Sequence, residues 1–297
     1  MAQISRAHHT VPRFYLSGFA DDRQFVGVVR LPGNARYRQS VGKVSVINDF
    51  YTVNSAAERD VIEKLIADQI EAPAAEIFRK VLVDQVWPLD EAERAILATF
   101  LALQHARGSN KRRALDEIAK TIANTLGDSS GFDISAVDWP EKLKAAHITS
   151  MLDFGQTGPC FYLRPWTLIR FNRKRLLTCD TPISLHPFPN APAGSAVGTG
   201  TAWRITFPMS RTTGLAMLGH LIGSEAEAAE IASGRLDSVE RGTAALAKDF
   251  NDATLHNARE CVYHHPEDGG LVPTQLPEPR ANEIVTGHPA VTQQRPL

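Results

Sequence analysis

The sequence predicts an α+β fold: an N-terminal antiparallel meander, a central helical block, and a C-terminal β region with closing helices. Three observations predict it. Short β-favouring runs bounded by turn residues occupy positions 25–53, apolar residues recur at helical spacing from Val61 to Leu152, and strand-like runs return after Gly155.

The runs at 25–31, 41–47 and 51–53 are separated by Pro32-Gly33-Asn34 and Asn48-Asp49, which gives the meander. Ser55-Ala56-Ala57-Glu58 is a capping-box pattern ahead of a helix carrying Val61, Ile62, Leu65, Ile66 and Ile70. Pro73, which lacks an N–H, is expected to break that helix and open the next, through Ile77, Phe78, Val81 and Leu82. Asp90-Glu91-Ala92-Glu93 caps a helix running to Arg107. Beyond the turn Gly108-Ser109-Asn110, Leu115, Ile118, Ile122 and Leu126 continue the pattern to Gly127. An exposed loop at 128–137 leads to a helix bearing Leu143, Ile148 and Leu152.

Asn172-Arg173-Lys174 is expected to turn a hairpin between strands 166–171 and 175–179. Strands 202–207 and 214–218 follow a Pro/Gly-rich loop, 186–200. Ser224 and Asp237 begin cap patterns, the first for a short helix and the second for a long one ending near His264. Residues 1–265 thus form one integrated domain, and 266–297 a Pro-rich tail, extended or disordered.

With 43% hydrophobic residues over 297 positions, the chain can bury a core. Thirty-two Lys and Arg against 33 Asp and Glu leave no global basic field for nucleic acid or anionic lipid. The absence of regular βαβ alternation and of a glycine-rich phosphate fingerprint argues against a dinucleotide-binding fold. Cys160, Cys179 and Cys261 lack CxxC spacing, so neither a disulfide framework nor a cysteine zinc site is indicated. The most apolar stretch, 95–103, is too short for a hydrocarbon layer of roughly 30 Å, and no apolar signal segment opens the chain. A cytoplasmic protein with no membrane partner is expected.

The densest chemical signal is His8-His9-Thr10-Val11-Pro12-Arg13-Phe14-Tyr15-Leu16-Ser17-Gly18-Phe19, where two imidazoles, a guanidinium and a phenol offer metal ligation, proton transfer or anion binding. The alternative is a fixed loop whose histidines bond to backbone. A ββα-metal nuclease opens similarly, but of its downstream ligands only an Asn has a close enough counterpart, Asn48, and no His follows until His105. Gln104 and Arg107 end an apolar helix face, with Lys111, Arg112 and Arg113 beyond; Arg107 either binds an anion or pairs internally. Asp180, between a strand and Thr181-Pro182, is a catalytic carboxylate or an Asx turn. Asn257 interrupts the apolar stripe Leu246, Phe250, Ala253 and Cys261, either as a structural lock or as a ligand contact.

The opening also resembles the bacterial and fungal family called domain of unknown function 4238, whose members begin His-His-x-x-Pro-x-x-Tyr-Leu-x-x-Phe. His8, His9, Pro12, Tyr15, Leu16 and Phe19 occupy that pattern. The similarity continues through Phe50-Tyr51, the Arg107 helix, the Asp180-Thr181-Pro182 turn and Asn257. A Pro-Leu pair usual in the family stands here as Pro208-Met209. The resemblance implies one integrated domain and carries no catalytic assignment.

The residue reading gives a hydrolase acting on an anionic, phosphate-bearing small molecule. His8, His9 and Asp180 would be catalytic, and Arg13, Tyr15, Gln104, Arg107 and Asn257 would bind the ligand. Its alternatives are a non-catalytic interaction module with a buried polar network, and local nucleic-acid binding through 107–113 and 170–175. Metal, cofactor and oligomeric state are left open.

Overall fold

The computed structural model describes residues 7–52, 60–108, 110–117, 139–192, 195, 197–219 and 224–279. Its architecture is α+β: antiparallel sheets packed with helices around a core. Strands β1 (Ala7–His9) and β4 (Val46–Asn48) form a two-stranded ribbon, with His8 opposite Ile47 and His9 opposite Val46. Between them run helix α1 (Arg13–Ser17) and the hairpin of β2 (Phe25–Arg30) and β3 (Ala35–Ser40). The expected meander is corrected here. Strand β2 pairs with 35–40, not 41–47, and β4 pairs with β1. Strand β3 reads poorly because it is a solvated sheet edge, with Ala35, Arg36, Tyr37 and Arg38 all exposed.

Helix α2 (Val61–Ile66) passes through a π turn, Ala67–Glu71, directly into α3 (Ala72–Leu82). Pro73 does not break the helix as expected. The turn before it widens, so that Ala72 N–H bonds to Ala67 C=O, five residues back. Helix α4 (Glu91–Ala106) starts from the expected capping box: Glu93 N–H bonds the Asp90 carboxylate at 2.9 Å, and the Glu93 carboxylate accepts the Asp90 N–H. Its Leu97, Phe100, Leu101 and Leu103 are fully buried, at 0% exposure. Helix α5 spans 110–117, followed by α6 (Trp139–Leu152) and α7 (Phe154–Tyr162). Helix α7 is not expected from the sequence, because Gly155, Gly158 and Pro159 are poor helix formers. Packing against α4 overrides them, with Phe161 at 0% exposure. The cap pattern at 55–58, the apolar positions Ile118, Ile122 and Leu126, and the loop 128–137 lie outside the described residues.

The C-terminal β region is built from β5 (Trp166–Arg170), β6 (Thr178–Cys179), β7 (Ser184–His186), β8 (Arg204–Ser210) and β9 (Thr213–Leu218). Helix α8 (Glu225–Ala232), strand β10 (Ser238–Arg241), helix α9 (Ala244–Asn257) and strand β11 (Cys261–His264) close it. The five-stranded sheet runs β10-β5-β9-β8-β7 and the four-stranded sheet β3-β2-β11-β6. Strands β5 and β6 therefore belong to different sheets and make no hairpin. The Asp237 pattern does not cap a helix: 238–241 is an exposed edge strand parallel to β5, and Thr243 caps α9 instead, accepting the Leu246 N–H at 3.2 Å.

One buried apolar cluster reaches from Val11 through Phe78, Phe100 and Phe207 to Tyr263. The chain also stays docked past 265. A 3-10 turn, Pro266–Leu271, places Asp268 against Arg211 at 2.7 Å, Val272 is buried, and Leu276 N–H bonds Pro32 C=O at 2.8 Å. The expected tail thus begins later than 266, and residues 280–297 lie outside the described residues. All three cysteines are free thiols. Among the described residues no helix is long and apolar enough to cross a membrane.

Candidate functional site

The opening motif lies where the β1–β4 ribbon meets α2 and the π turn. Pairing with β4 fixes the backbone of His8 and His9, and Thr10 pins the far end through its hydroxyl, 2.6 Å from that of Ser45. His8 is fully buried and stacks on Tyr51, with ring centroids 5.4 Å apart and planes 11° from parallel. Its Nδ1 accepts the Tyr51 N–H at 2.8 Å, so the proton of the neutral ring sits on Nε2. That Nε2 lies 2.6 Å from Glu63 Oε2, in attractive range although off hydrogen-bond alignment.

A second chain of contacts comes from the end of α4. Thr10 C=O accepts from Gln104 Nε2 at 3.1 Å, Gln104 Oε1 accepts from Arg107 Nε at 3.0 Å, and Arg107 Nη1 holds Glu71 Oε1 at 2.6 Å. Glu63, Ala67 and Glu71 stand at i, i+4 and i+8. In a regular α-helix eight residues overshoot two turns by about 80°; the wide turn takes up the extra residue and keeps all three on one wall.

These elements enclose a cavity of about 120 Å³ lined by His9, Arg13, Phe14, Tyr51, Glu63, Ile66, Ala67 and Glu71. Three polar atoms of its lining residues, His9 Nε2, Tyr51 Oη and Glu63 Oε2, are buried with no hydrogen-bond partner, as is Arg107 Nη2 on the guanidinium that holds Glu71. Native interiors pair nearly all such atoms, so their grouping around one hollow marks a place where a ligand or water supplies the missing bonds. Burial and the nearby Arg13 cation hold the His9 imidazole below its usual pKa, against the pull of Glu71 and Glu63. Burial pushes the Tyr51 phenol up to about 12, so it remains a donor at neutral pH. Arg13 itself is exposed at the cavity and makes no ion pair among the described residues.

This geometry rests on the opening motif, the Phe50-Tyr51 pair and the Arg107 helix together. The family model described as "Protein of unknown function (DUF4238)" matches residues 7–268. The chain belongs to that family. No curated protein and no solved structure matches it.

The other predicted residues of this DUF4238 protein are placed in its scaffold. The buried Tyr15 hydroxyl donates to Pro208 C=O at 2.8 Å and meets the Thr178 hydroxyl at 2.6 Å, which ties α1 to both large sheets. Asp180 is not among the residues lining the cavity. Its two carboxylate oxygens accept the Arg259 and Glu260 N–H groups at 3.0 and 2.9 Å, fastening the turn into β11, while burial pushes its pKa up to about 6. Asn257 donates to Ile183 C=O at 2.8 Å and to Thr181 C=O, locking α9 onto the same turn. The expected convergence of His8, His9 and Asp180 is therefore replaced by His8, His9, Glu63 and Glu71. Removing the Asp180 carboxylate strands two N–H groups, so Asp180→Ala should cost about 1–3 kcal/mol of stability by urea denaturation and leave ligand affinity at the cavity unchanged.

Glu63 and Glu71 escape a reading of the sequence because they look like ordinary solvated helix residues. The only signal is Pro73, two positions after Glu71, which forces the helix to adjust there. Among the described residues no group of three or more His, Cys, Asp or Glu side chains is placed to hold a metal ion. Several of the basic residues considered for nucleic acid are engaged within the fold, while Arg173 and Lys174 are exposed. Arg112 lies 3.8 Å from the centre of the Phe50 ring, Arg113 pairs with Glu260, and Arg170 donates to Gln85 at 2.7 Å.

Proposed function

We propose that this DUF4238 protein is a small-molecule hydrolase whose site is the cavity between β1, α1 and α2, with His9 as its general base. The observation that carries the reading is the grouping of partnerless buried polar atoms, His9 Nε2 and Tyr51 Oη, around one open hollow beside Arg13. A neutral imidazole with a vacant lone pair is the form a base needs. It takes a proton from a water that attacks the substrate's acyl carbon, then returns that proton to the leaving atom. Tyr51 Oη would donate to the oxygen on which negative charge develops. Glu63 and Glu71, held from behind by His8 and Arg107, would accept hydrogen bonds from the ligand.

Two carboxylates on the wall oppose a multiply charged phosphate, so the ligand is better described as a small molecule with at most one anionic end, facing Arg13. The test is turnover of a panel of small esters and amides by the parent, His9→Ala and Tyr51→Phe. His9→Ala should lower kcat by 10²- to 10⁴-fold, on the order of what one general base contributes, with a melting temperature close to the parent's. Turnover surviving unchanged in His9→Ala sinks the catalytic reading.

A further inference from the structure

We infer that this cavity selects a small zwitterion of the amino-acid class, an ammonium and a carboxylate joined by one or two carbons, which is the acid that hydrolysis of an aminoacyl ester or amide would release there. The inference rests on the cavity being a ligand site, as proposed above, and adds which chemistry it selects.

Size sets the first limit. A dry cavity of about 150 Å³ holds one benzene ring, and the hollow here measures about 120 Å³. That space seats about five to seven non-hydrogen atoms, the size of glycine, alanine or serine, so the polar wall reads a head group of that size even where the open mouth admits a longer molecule.

Charge sets the second. The four charges on or against the wall divide unequally. Glu71 is neutralised by Arg107 at 2.6 Å, a side chain buried completely. Glu63 makes no ion pair with a Lys or Arg among the described residues; its near contact is the His8 ring, whose Nδ1 is taken up by the Tyr51 N–H. Arg13 is a cation with no carboxylate partner among the described residues. The wall therefore presents one anion without a Lys or Arg partner and one cation without a carboxylate partner around the His9 ring, which feels both. A simple anion satisfies Arg13 but faces Glu63, and a simple cation satisfies Glu63 but faces Arg13. A molecule carrying both charges satisfies both.

Hydrogen bonding agrees with that polarity. Tyr51 Oη is a buried donor without an acceptor, suited to a carboxylate oxygen. Glu63 Oε2 is a buried carboxylate oxygen without a hydrogen-bond partner, suited to an ammonium N–H, which leaves the His9 Nε2 lone pair for water. Neither atom is satisfied by an apolar occupant of the same volume.

Isothermal titration of the full chain with alanine, propionate, ethylamine and inorganic phosphate tests this. Alanine should bind at least tenfold tighter than propionate, which lacks the ammonium, and ethylamine, which lacks the carboxylate. Arg13→Gln should weaken alanine to the ethylamine level and leave ethylamine no weaker than before. Glu63→Gln should weaken alanine to the propionate level and leave propionate no weaker than before. Propionate or phosphate binding more tightly than alanine overturns the zwitterion while keeping the cavity as a ligand site. No heat from any of the four, together with unaltered turnover in His9→Ala, overturns both. The four-ligand comparison uses the unaltered protein, so the test stands even where a variant fails to fold.

Discussion

Asp237→Ala is expected to lower the unfolding free energy by about 3–5 kcal/mol, the cost of leaving one member of a buried ion pair without its partner. Arg94 and Asp237 both have fully enclosed side chains, and Arg94 Nη1 lies 2.5 Å from Asp237 Oδ2. The other Asp237 oxygen accepts the Trp166 N–H at 2.8 Å. Arg94 Nε donates to Tyr162 C=O at 3.0 Å and its Nη2 to Arg164 C=O, while the guanidinium lies over the Trp166 ring, 4.0 Å from its centre. Without the carboxylate, a cation remains desolvated between an indole and two carbonyls that cannot neutralise it. Asp237→Asn should fall between the two, because its amide oxygen still accepts the Trp166 N–H. Urea denaturation followed by circular dichroism gives the comparison, and a loss below about 1 kcal/mol for Asp237→Ala would show that the pair does not hold the fold.

The same lock bears on the site. Helix α4 carries Arg94 near its start and Gln104 and Arg107 at its end, about 20 Å further on at 1.5 Å per residue. The first fixes the helix against α7 and β5; the second supports Thr10 and Glu71. Loosening the lock should therefore weaken ligand affinity at the distant cavity, although Asp237 does not line it.

How much of this is legible in the sequence depends on whether a residue's partners are near it in the chain. The capping boxes and apolar stripes are local, and the α4 helix stands where its pattern places it. His8, His9 and Arg13 sit within six positions of one another, so their density alone draws attention to the candidate site. Glu63 and Glu71 become part of it only through the π turn, and through Arg107 reaching Glu71 across 36 positions. Asp180 and Asn257 give a sound signal, a polar group where none is expected, whose meaning is structural. Strand β10 shows the opposite failure: Asp237-Ser238-Val239-Glu240 has the letters of a helix cap, but Asp237 is drawn to Arg94 and Trp166, and 238–241 pairs with β5 instead. Tertiary contacts override a valid local pattern.

The pH profile should be steep on the acid side. Burial holds the imidazoles of His105, His147 and His186 down at about 3, 4 and 4, from an ordinary value of 6.5. For His147 the cause is visible: it is 2% exposed, Nε2 lies 3.1 Å from Ala106 C=O, and Nδ1 faces Arg112 Nη2 at 3.4 Å. A second ring proton would point at a guanidinium. The unfolded chain takes up these protons near pH 6.5 and the folded chain only near 4 or below. Their stabilising contribution is thus complete above pH 6.5 and is lost as pH falls from 6.5 to about 4, by on the order of 3 kcal/mol for His147 alone. Asp180 acts in the opposite sense. Its folded value of about 6 exceeds the ordinary 3.8, so falling pH favours the folded state through that group between 6 and 4 and offsets roughly one histidine. Asp237 is raised by burial as Asp180 is, and His9 and His264 are lowered with the other three, so among the described residues five imidazoles against two carboxylates leave a net loss, which denaturant titrations between pH 7 and 4.5 should record. His147→Asn removes one of the protons from that exchange. The slope of stability against pH in this window should become shallower by up to about 1.4 kcal/mol per pH unit, and a slope identical to the parent's would show that His147 takes up its proton as readily folded as unfolded.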